Sequence, residues 1–423
     1  MERYTNIHSH VFSGGCVPDY FLKTILPKRF HAYADEIMWI LRSERVRSAL
    51  EVWAEWRGPA RLLRRNSKLL RIIQFLRVGA QNTQEEVFLC MKQAYAALGP
   101  NTRFVALTLN MDHMDVQSSS HARIEDQLAE IERVRAHYPD TFLPFVCADP
   151  RHKQGNDLRD WVKEKVERRA FMGIKLYPAI GYFPFDTGLD ALYAWAEQNA
   201  VPIMTHCTRQ GTFYTGSMAQ VLPDPKPAGL HSTAPEMADI HARIKRFMNN
   251  DLTWDHSNYG CNIFLHPQNY EPVLRKYPRL KLCFAHFGGD DELLNKAQEL
   301  RTRKLDDTNW HVEVKRIMGL YANVYTDISY TLHNPKVYTQ LAGLIDGPLG
   351  ERILFGTDCF MTLKEAPEAD LLKRCMGGLG MDRFNRIAAR NTDTYLRSQH
   401  FEPAKTTVLT WTRSTPTLNT PEP

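Results

Sequence analysis

The chain has 423 residues, 43% of them hydrophobic and 24% charged, with a net charge of +5. This is ordinary globular composition, long enough for one large α/β barrel with insertions. No run reaches the ~18–20 apolar residues of a membrane span, and the basic residues are dispersed, with only local clusters such as Arg61-Arg64-Arg65 and Arg168-Arg169, which read as solvated helix faces rather than a nucleic-acid groove.

In chain order, Ile7-His8-Ser9-His10 opens as a short strand, followed by a loop with Gly14, Gly15 and Pro18. From 20 to 98 the apolar spacing is helical: Leu22, Ile25 and Leu26, then Ile37, Ile40 and Leu41, then Leu69, Ile72, Ile73 and Leu76, broken at Gly58-Pro59. This predicts a helical insertion over 20–100. Strands are then predicted at 103–109, 141–148, 171–177 and 201–206, with helices at 121–137, 157–169 and 187–199 between and after them. A proline-rich segment over 208–265 holds Pro223, Pro225, Pro227 and Pro235 and one helix near 236–249. Beyond it come a helix at 268–277, a strand at 280–286, mostly helix over 290–318, a strand at 324–328, a helix at 335–346, a strand at 352–358 and a last helix at 382–397. The tail from 401 to 423 is rich in Thr and Pro and reads as loosely attached.

Eight apolar strands separated mostly by helices imply a parallel sheet, and eight such units imply an α/β fold of the (β/α)8 TIM-barrel type. It carries a helical insertion after strand 1 and a long loop insertion after strand 5, in a single domain over 1–400. A doubly wound open sheet is the alternative, but its first turn is usually glycine-rich, and here that place carries His-Ser-His. The eight cysteines include no CxxC, and Cys90, Cys147, Cys207, Cys283 and Cys359 fall mostly in apolar runs, which reads as reduced core thiols. With no visible signal peptide and candidate ligands from residue 8 onward, the expected location is cytoplasmic. The expected partners are a small-molecule substrate and a second copy of the chain, with no nucleic acid and no membrane.

Chemistry gathers at the strand ends. His8 and His10 are two apart, so on a strand both imidazoles face one way and reach one cation. Lys175 on the fourth strand, His206 on the fifth, His286 on the sixth and Asp358 on the eighth also sit at or near C-terminal ends, which converge on one face in a barrel. Each has a bland alternative: a hydrogen-bonded core histidine, a helix-entry residue, an N-cap, a structural ion pair. A shared metal would give all of these buried polar groups a partner at once.

Several segments resemble the amidohydrolase superfamily, within it the amidohydrolase-related, aminocarboxymuconate-semialdehyde decarboxylase-like branch. They are Asn6-Ile7-His8-Ser9-His10, Gly173-Ile174-Lys175-Leu176-Tyr177-Pro178, Ile203-Met204-Thr205-His206, Tyr270-Glu271-Pro272 with Leu282 through Gly289, and Ile353 through Asp358. Asn391 with Tyr395-Leu396 resembles the helix that closes such barrels. The resemblance implies a metal-dependent enzyme holding a divalent metal, zinc with manganese as the alternative. His8, His10 and Asp358 would hold a first ion. With two ions, Lys175 would be carboxylated and bridging, as in dihydroorotases, and His206 and His286 would hold the second. With one ion, His206 would complete the site, His286 would be an acid/base or polarising group, and Lys175 a neighbouring charge.

The resulting expectation is hydrolysis of a small-molecule amide, lactam, lactone or ester by metal-activated water, with Asp358 as general acid/base and His286 stabilising the oxyanion. Non-oxidative decarboxylation or hydration of an unsaturated or aromatic acid on the same site is the alternative, and a non-catalytic barrel serving in binding or assembly is a third reading. For the substrate, Arg209 is expected to clamp a carboxylate, Trp254 to line an apolar pocket, and Tyr177 to enter the site beside Lys175. The 20–100 block, emerging on the same face, is expected to act as core extension, lid or dimer interface.

Overall fold

The computed structural model describes residues 3–18, a few positions between 71 and 79, 81–99, 101–114, 122–209, 211–214, 216, 235–248, 258–296 and 308–403. Eight short strands follow the predicted order: β1 Thr5–Ser9, β2 Arg103–Ala106, β3 Phe145–Cys147, β4 Gly173–Leu176, β5 Ile203–Thr205, β6 Leu282–Phe284, β7 Val324–Asp327 and β8 Ile353–Leu354. All ladders are parallel. β1 pairs with β2, and β3 to β8 pair in sequence order. Isolated parallel bridges join the remaining neighbours: Phe104 to Phe142 and Leu107 to Phe145 link β2 with β3, and Ser9 to Cys359 links β1 with β8. Backbone bonds run along both seams, from Leu143 N to Phe104 O (2.9 Å), Ile7 N to Phe355 O (2.9 Å) and Asp358 N to His8 O (2.9 Å). The eight strands therefore form the ring of a (β/α)8 barrel.

The strands are shorter than the apolar runs that encode them, with β4, β5 and β6 losing residues at both ends. Between strands lie helices Ile124–His137, Gly155–Glu167 and Asp190–Gln198. In the first, Leu128, Ile131 and Val134 repeat at three-to-four spacing and are buried, with Glu125 and Asp126 in the first turn and Arg135 and His137 in the last, as the helix dipole favours. The segment after β5 contains helix Met237–Met248, near the predicted one, and a further helix Asn258–Leu265. Of the 20–100 block, helix Gln84–Ala94 is described, entered through a capping box of Thr83 and Glu86. The rest of that block lies largely outside the described residues, as does the tail beyond 403.

Two expectations on helices are corrected. Helix Glu368–Leu379 lay where none was expected, although Leu371, Leu372, Cys375 and Leu379 form a buried stripe at helical spacing. The last helix, expected at 382–397, is three pieces: Met381–Asn385, a π-helical turn Arg386–Arg390 and Asn391–Leu396. Among the described residues no helix is long and apolar enough to cross a membrane.

Apolar burial has two layers. The larger cluster lies between strands and helices. A smaller one, including Val105, Phe145, Met204, Cys283, Tyr325 and Leu354, fills the barrel interior together with Tyr395 and Leu396. Tyr395 plugs the ring from the N-terminal end of the strands and donates to the carbonyl of Ile203 (2.9 Å), while the Asn391 amide donates to the carbonyls of Gly350 and Ile353. Gly356 allows β8 to lie against β1: a Cβ there would come within 2.8 Å of the His8 Cβ.

Candidate metal centre at the strand ends

His8 is within β1 and His10 directly follows it. The two Nε2 atoms lie 3.5 Å and 3.2 Å from Oδ1 of Asp358. Asp358 follows β8, so the seam between first and last strands assembles this side of the centre. Ligand atoms of His8, His286 and Asp358 all lie within 4.8 Å of one another.

Strand alternation alone does not deliver His286. Leu282 and Phe284 face the outer layer, Cys283 and Ala285 the barrel interior, and a period of two would send residue 286 outward. The backbone at His286 is left-handed, with φ 67°, and this turn swings the imidazole into the barrel mouth. Phe287, Tyr330 and Asp358 are also left-handed (φ 51°, 57° and 64°). Such positions cost about 1–3 kcal/mol each, and here four of them gather at the C-terminal ends of β6, β7 and β8.

Each of three histidines has its Nδ1 anchored. In His8 it lies 3.0 Å from Oδ2 of Asp327, in His10 3.0 Å from the carbonyl of Leu107, and in His286 3.1 Å from the carbonyl of Ser329. These acceptors keep the proton on Nδ1 and leave Nε2 as a lone pair, the state a metal-binding imidazole needs. Burial drives the pKa of His8 and of His286 well below the usual histidine range, with Lys175 and His206 respectively adding to the effect. His206 completes the row: its Nδ1 is 3.0 Å from Nε2 of His286, and its ring stacks on Tyr177 at 4.5 Å. Gly211, with φ 134°, folds the following loop over this pair, where a Cβ would stand 2.6 Å from the Tyr177 hydroxyl and 2.8 Å from His206 Nε2.

Two buried polar atoms at the centre, Nε2 of His8 and Oδ1 of Asp358, have no hydrogen-bond partner. An unsatisfied buried polar group costs about 1–3 kcal/mol, and one cation between them relieves both. The donor set of imidazole nitrogens and a carboxylate oxygen suits zinc or manganese. The residues present therefore fit the divalent metal that the sequence implied.

Lys175 on β4 is buried beside this group, its Nζ without a hydrogen-bond partner. Burial lowers its pKa to about 8, against the pull of Asp327 and Asp358. Tyr177, beyond the end of β4, lines the same cavity as His10, His206, His286 and Asp358. Arg209 also lines it, but its guanidinium is engaged: Nε donates to Glu292 (2.7 Å), a terminal nitrogen donates to the carbonyl of Thr308 (2.8 Å), and the group lies 4.4 Å from the centre of the Trp310 ring. The guanidinium expected to clamp a carboxylate is thus held in a buried ion pair within the cavity wall. Trp254 lies outside the described residues.

Sequence reasoning passed over Asp327, the residue that orients His8. Asp327 Oδ1 also accepts from the amides of His286 and Ser329 (both 2.9 Å) and from the Ser329 hydroxyl. The signal was available, since the seventh apolar run ends in an acid as the eighth does. A second buried network lies behind the seam. Asn6 donates to Tyr95 and Thr357 and accepts from the Thr357 amide, and the hydroxyls of Tyr95 and Thr357 both donate to Glu368. These contacts tie β1 and β8 to the helices Gln84–Ala94 and Glu368–Leu379.

Among solved structures, an uncharacterized TIM-barrel protein from Bordetella bronchiseptica is similar at 15% identity, with a TM-score of 0.43, covering 77% of this chain and 89% of its own. A 2,6-dihydroxybenzoate decarboxylase from Rhizobium is similar at 12% identity, TM-score 0.45, covering 94% and 99%. A 4-oxalomesaconate hydratase from Rhodopseudomonas palustris is similar at 13% identity, TM-score 0.44, covering 93% and 95%. No curated protein sequence matches the chain. The amidohydrolase family model matches residues 105–379, β2 through the helix after β8. On that match, the chain belongs to the amidohydrolase family.

Proposed function

We propose that this protein is a single-metal hydrolase of small-molecule amides, lactams, lactones or esters. The observation that carries this reading is the unpaired Oδ1 of Asp358, set between the Nε2 atoms of His8 and His10 on the wall of a cavity. His8, His10, His286 and Asp358 would hold the ion, with His206 as the next donor. When bound, the metal lowers the pKa of water toward ~7 and polarises the scissile carbonyl. The single-ion reading follows the one cluster of ligand atoms found within 4.8 Å of one another among the described residues, His8, His286 and Asp358; Lys175 as an ammonium has no lone pair to give.

Asp358 accepts the proton of the attacking water at a carboxylate oxygen and delivers it to the leaving group. Asp327 and the carbonyls of Leu107 and Ser329 hold the three imidazoles in one tautomer and orientation, so the centre is formed before substrate arrives. Phe12, Leu109 and Tyr177 give the cavity apolar walls. Those walls also favour a second reading, decarboxylation of an unsaturated or aromatic acid, in which Asp358 delivers a proton to carbon.

The test is turnover of a panel of lactones, N-acyl amino acids and aromatic acids by metal-loaded protein in ¹⁸O-water. Hydrolysis places one ¹⁸O in the product. Carbon dioxide release with unlabelled product gives the second reading, and no turnover of any class with metal bound would contradict both.

A further inference from the structure

Among the described residues, two Lys or Arg side chains line the cavity, Arg209 and Lys364. The first is spent on Glu292. Lys364 differs: among the described residues no carboxylate lies within ion-pair distance of its ammonium, although it is partly buried. It ends the short turn Met361–Lys364 that follows β8. That turn is built directly on the centre, because the Thr362 amide donates to the carbonyl of Asp358 at 3.1 Å. The Nζ stands 5.2 Å from the middle of the Tyr330 ring, a cation–π distance that fixes the side chain without neutralising it. The neighbouring Glu365 instead accepts from the Tyr330 hydroxyl at 3.1 Å.

The cavity also holds acidic groups. Asp290, Asp291 and Glu292 line the cavity on the β6 side. With Glu292 already paired to Arg209, Lys364 is, among the described residues lining the cavity, the cation left to draw an anionic group. Burial depresses the lysine pKa, and Glu365 and Asp358 partly restore it; a bound anion would restore it further.

We propose that Lys364 is an anion-recognition residue, taking a carboxylate of the substrate remote from the bond that breaks. The substrate class is then a small acid whose reacting group sits at Asp358 and whose second, anionic group reaches Lys364. This rests on the cavity being the active site.

The probes are benzoate, with one carboxylate, and isophthalate and terephthalate, with two. Binding is measured on the full-length, Mn²⁺-loaded protein by broadening of the ligand ring protons and by calorimetry. At least one dicarboxylate should bind tenfold or more tightly than benzoate. Lys364→Met should abolish that advantage while leaving benzoate affinity within twofold, which also reports an intact fold, and Lys364→Arg should keep part of it. If Mn²⁺ broadens benzoate but neither dicarboxylate gains, or the gain survives Lys364→Met, the anion site is overturned and the metal-site reading stands. If the metal broadens none of the three, the active-site reading falls and this inference with it.

Discussion

The two ends of the barrel are built on opposite terms. At the N-terminal end of the strands, Tyr395, Leu396 and the interior apolar residues are fully packed and the Tyr395 hydroxyl donates to the carbonyl of Ile203, although one terminal nitrogen of Arg103, at the start of β2, has no hydrogen-bond partner. At the C-terminal end, left-handed backbone, unpaired polar atoms and histidines held neutral by burial crowd around one point. One end lowers the energy of the fold, and the other spends part of that gain on a preformed ligand set. The contrast locates function physically: strain and unsatisfied polarity concentrate where a cation and a substrate can relieve them.

The sharpest way to break this contrast is one substitution at each end. Asp358→Asn should cut turnover about 10²–10⁴-fold with the unfolding midpoint nearly unchanged. Tyr395→Ala should do the reverse, destabilising by about 3–5 kcal/mol with turnover per folded molecule preserved. Paired denaturant melts and steady-state kinetics check both, and a large stability loss in Asp358→Asn would erase the division between the two ends.

Arg209 tests where the division runs within the mouth. As one half of a buried pair with Glu292, its replacement by Met should cost about 3–5 kcal/mol, because a buried carboxylate is left uncompensated. The KM should stay within about twofold, whereas a substrate clamp would raise it by ~10-fold or more for ~1.4 kcal/mol of lost binding.

A smaller effect is expected from pH. Burial holds His8 and His286 below the histidine value of about 6.5, and brings His311 to about 4. Below pH ~6.5 the unfolded chain therefore binds more protons than the native one. Stability of the metal-free protein should be complete above about pH 6.5 and decline as pH falls toward 4, as urea midpoints across that range would show. A midpoint that rises on acidification would contradict the neutral, buried state of these rings.

Much of this was legible in the sequence, for a physical reason. Strand order and the polar strand ends were readable because apolar runs must be buried, and a His or Asp at the end of such a run is an exception that asks for a partner. That His8 and His10 share a side is readable from the two-residue period, but Ile7 belongs to the interior layer, so their facing the barrel mouth depends on the irregularity in β1 between Asn6 and Ser9. What was not legible depended on tertiary geometry. His286 has the wrong parity for the barrel mouth and reaches it only through a left-handed turn, which no periodicity encodes. The partner of Arg209 is 83 positions away in the chain, so spacing from His206 could not reveal it. Asp327 and Lys364 were different: the first obeyed the strand-end rule already in use, and the second follows Asp358 on a local turn whose place on the cavity wall appears only in the folded chain.

The central claim is that the seam between β1 and β8, with His286, holds one divalent cation. Its most direct test is a Co²⁺ absorption titration of the metal-free, full-length protein at neutral pH, repeated for Asp358→Asn and Asp327→Asn. One equivalent should saturate visible bands in the unsubstituted protein. Affinity should fall strongly in Asp358→Asn and about 10–100-fold in Asp327→Asn, where the support of a ligand rather than the ligand itself is lost. No stoichiometric binding, saturation at two equivalents, or undiminished affinity in Asp358→Asn would contradict the account.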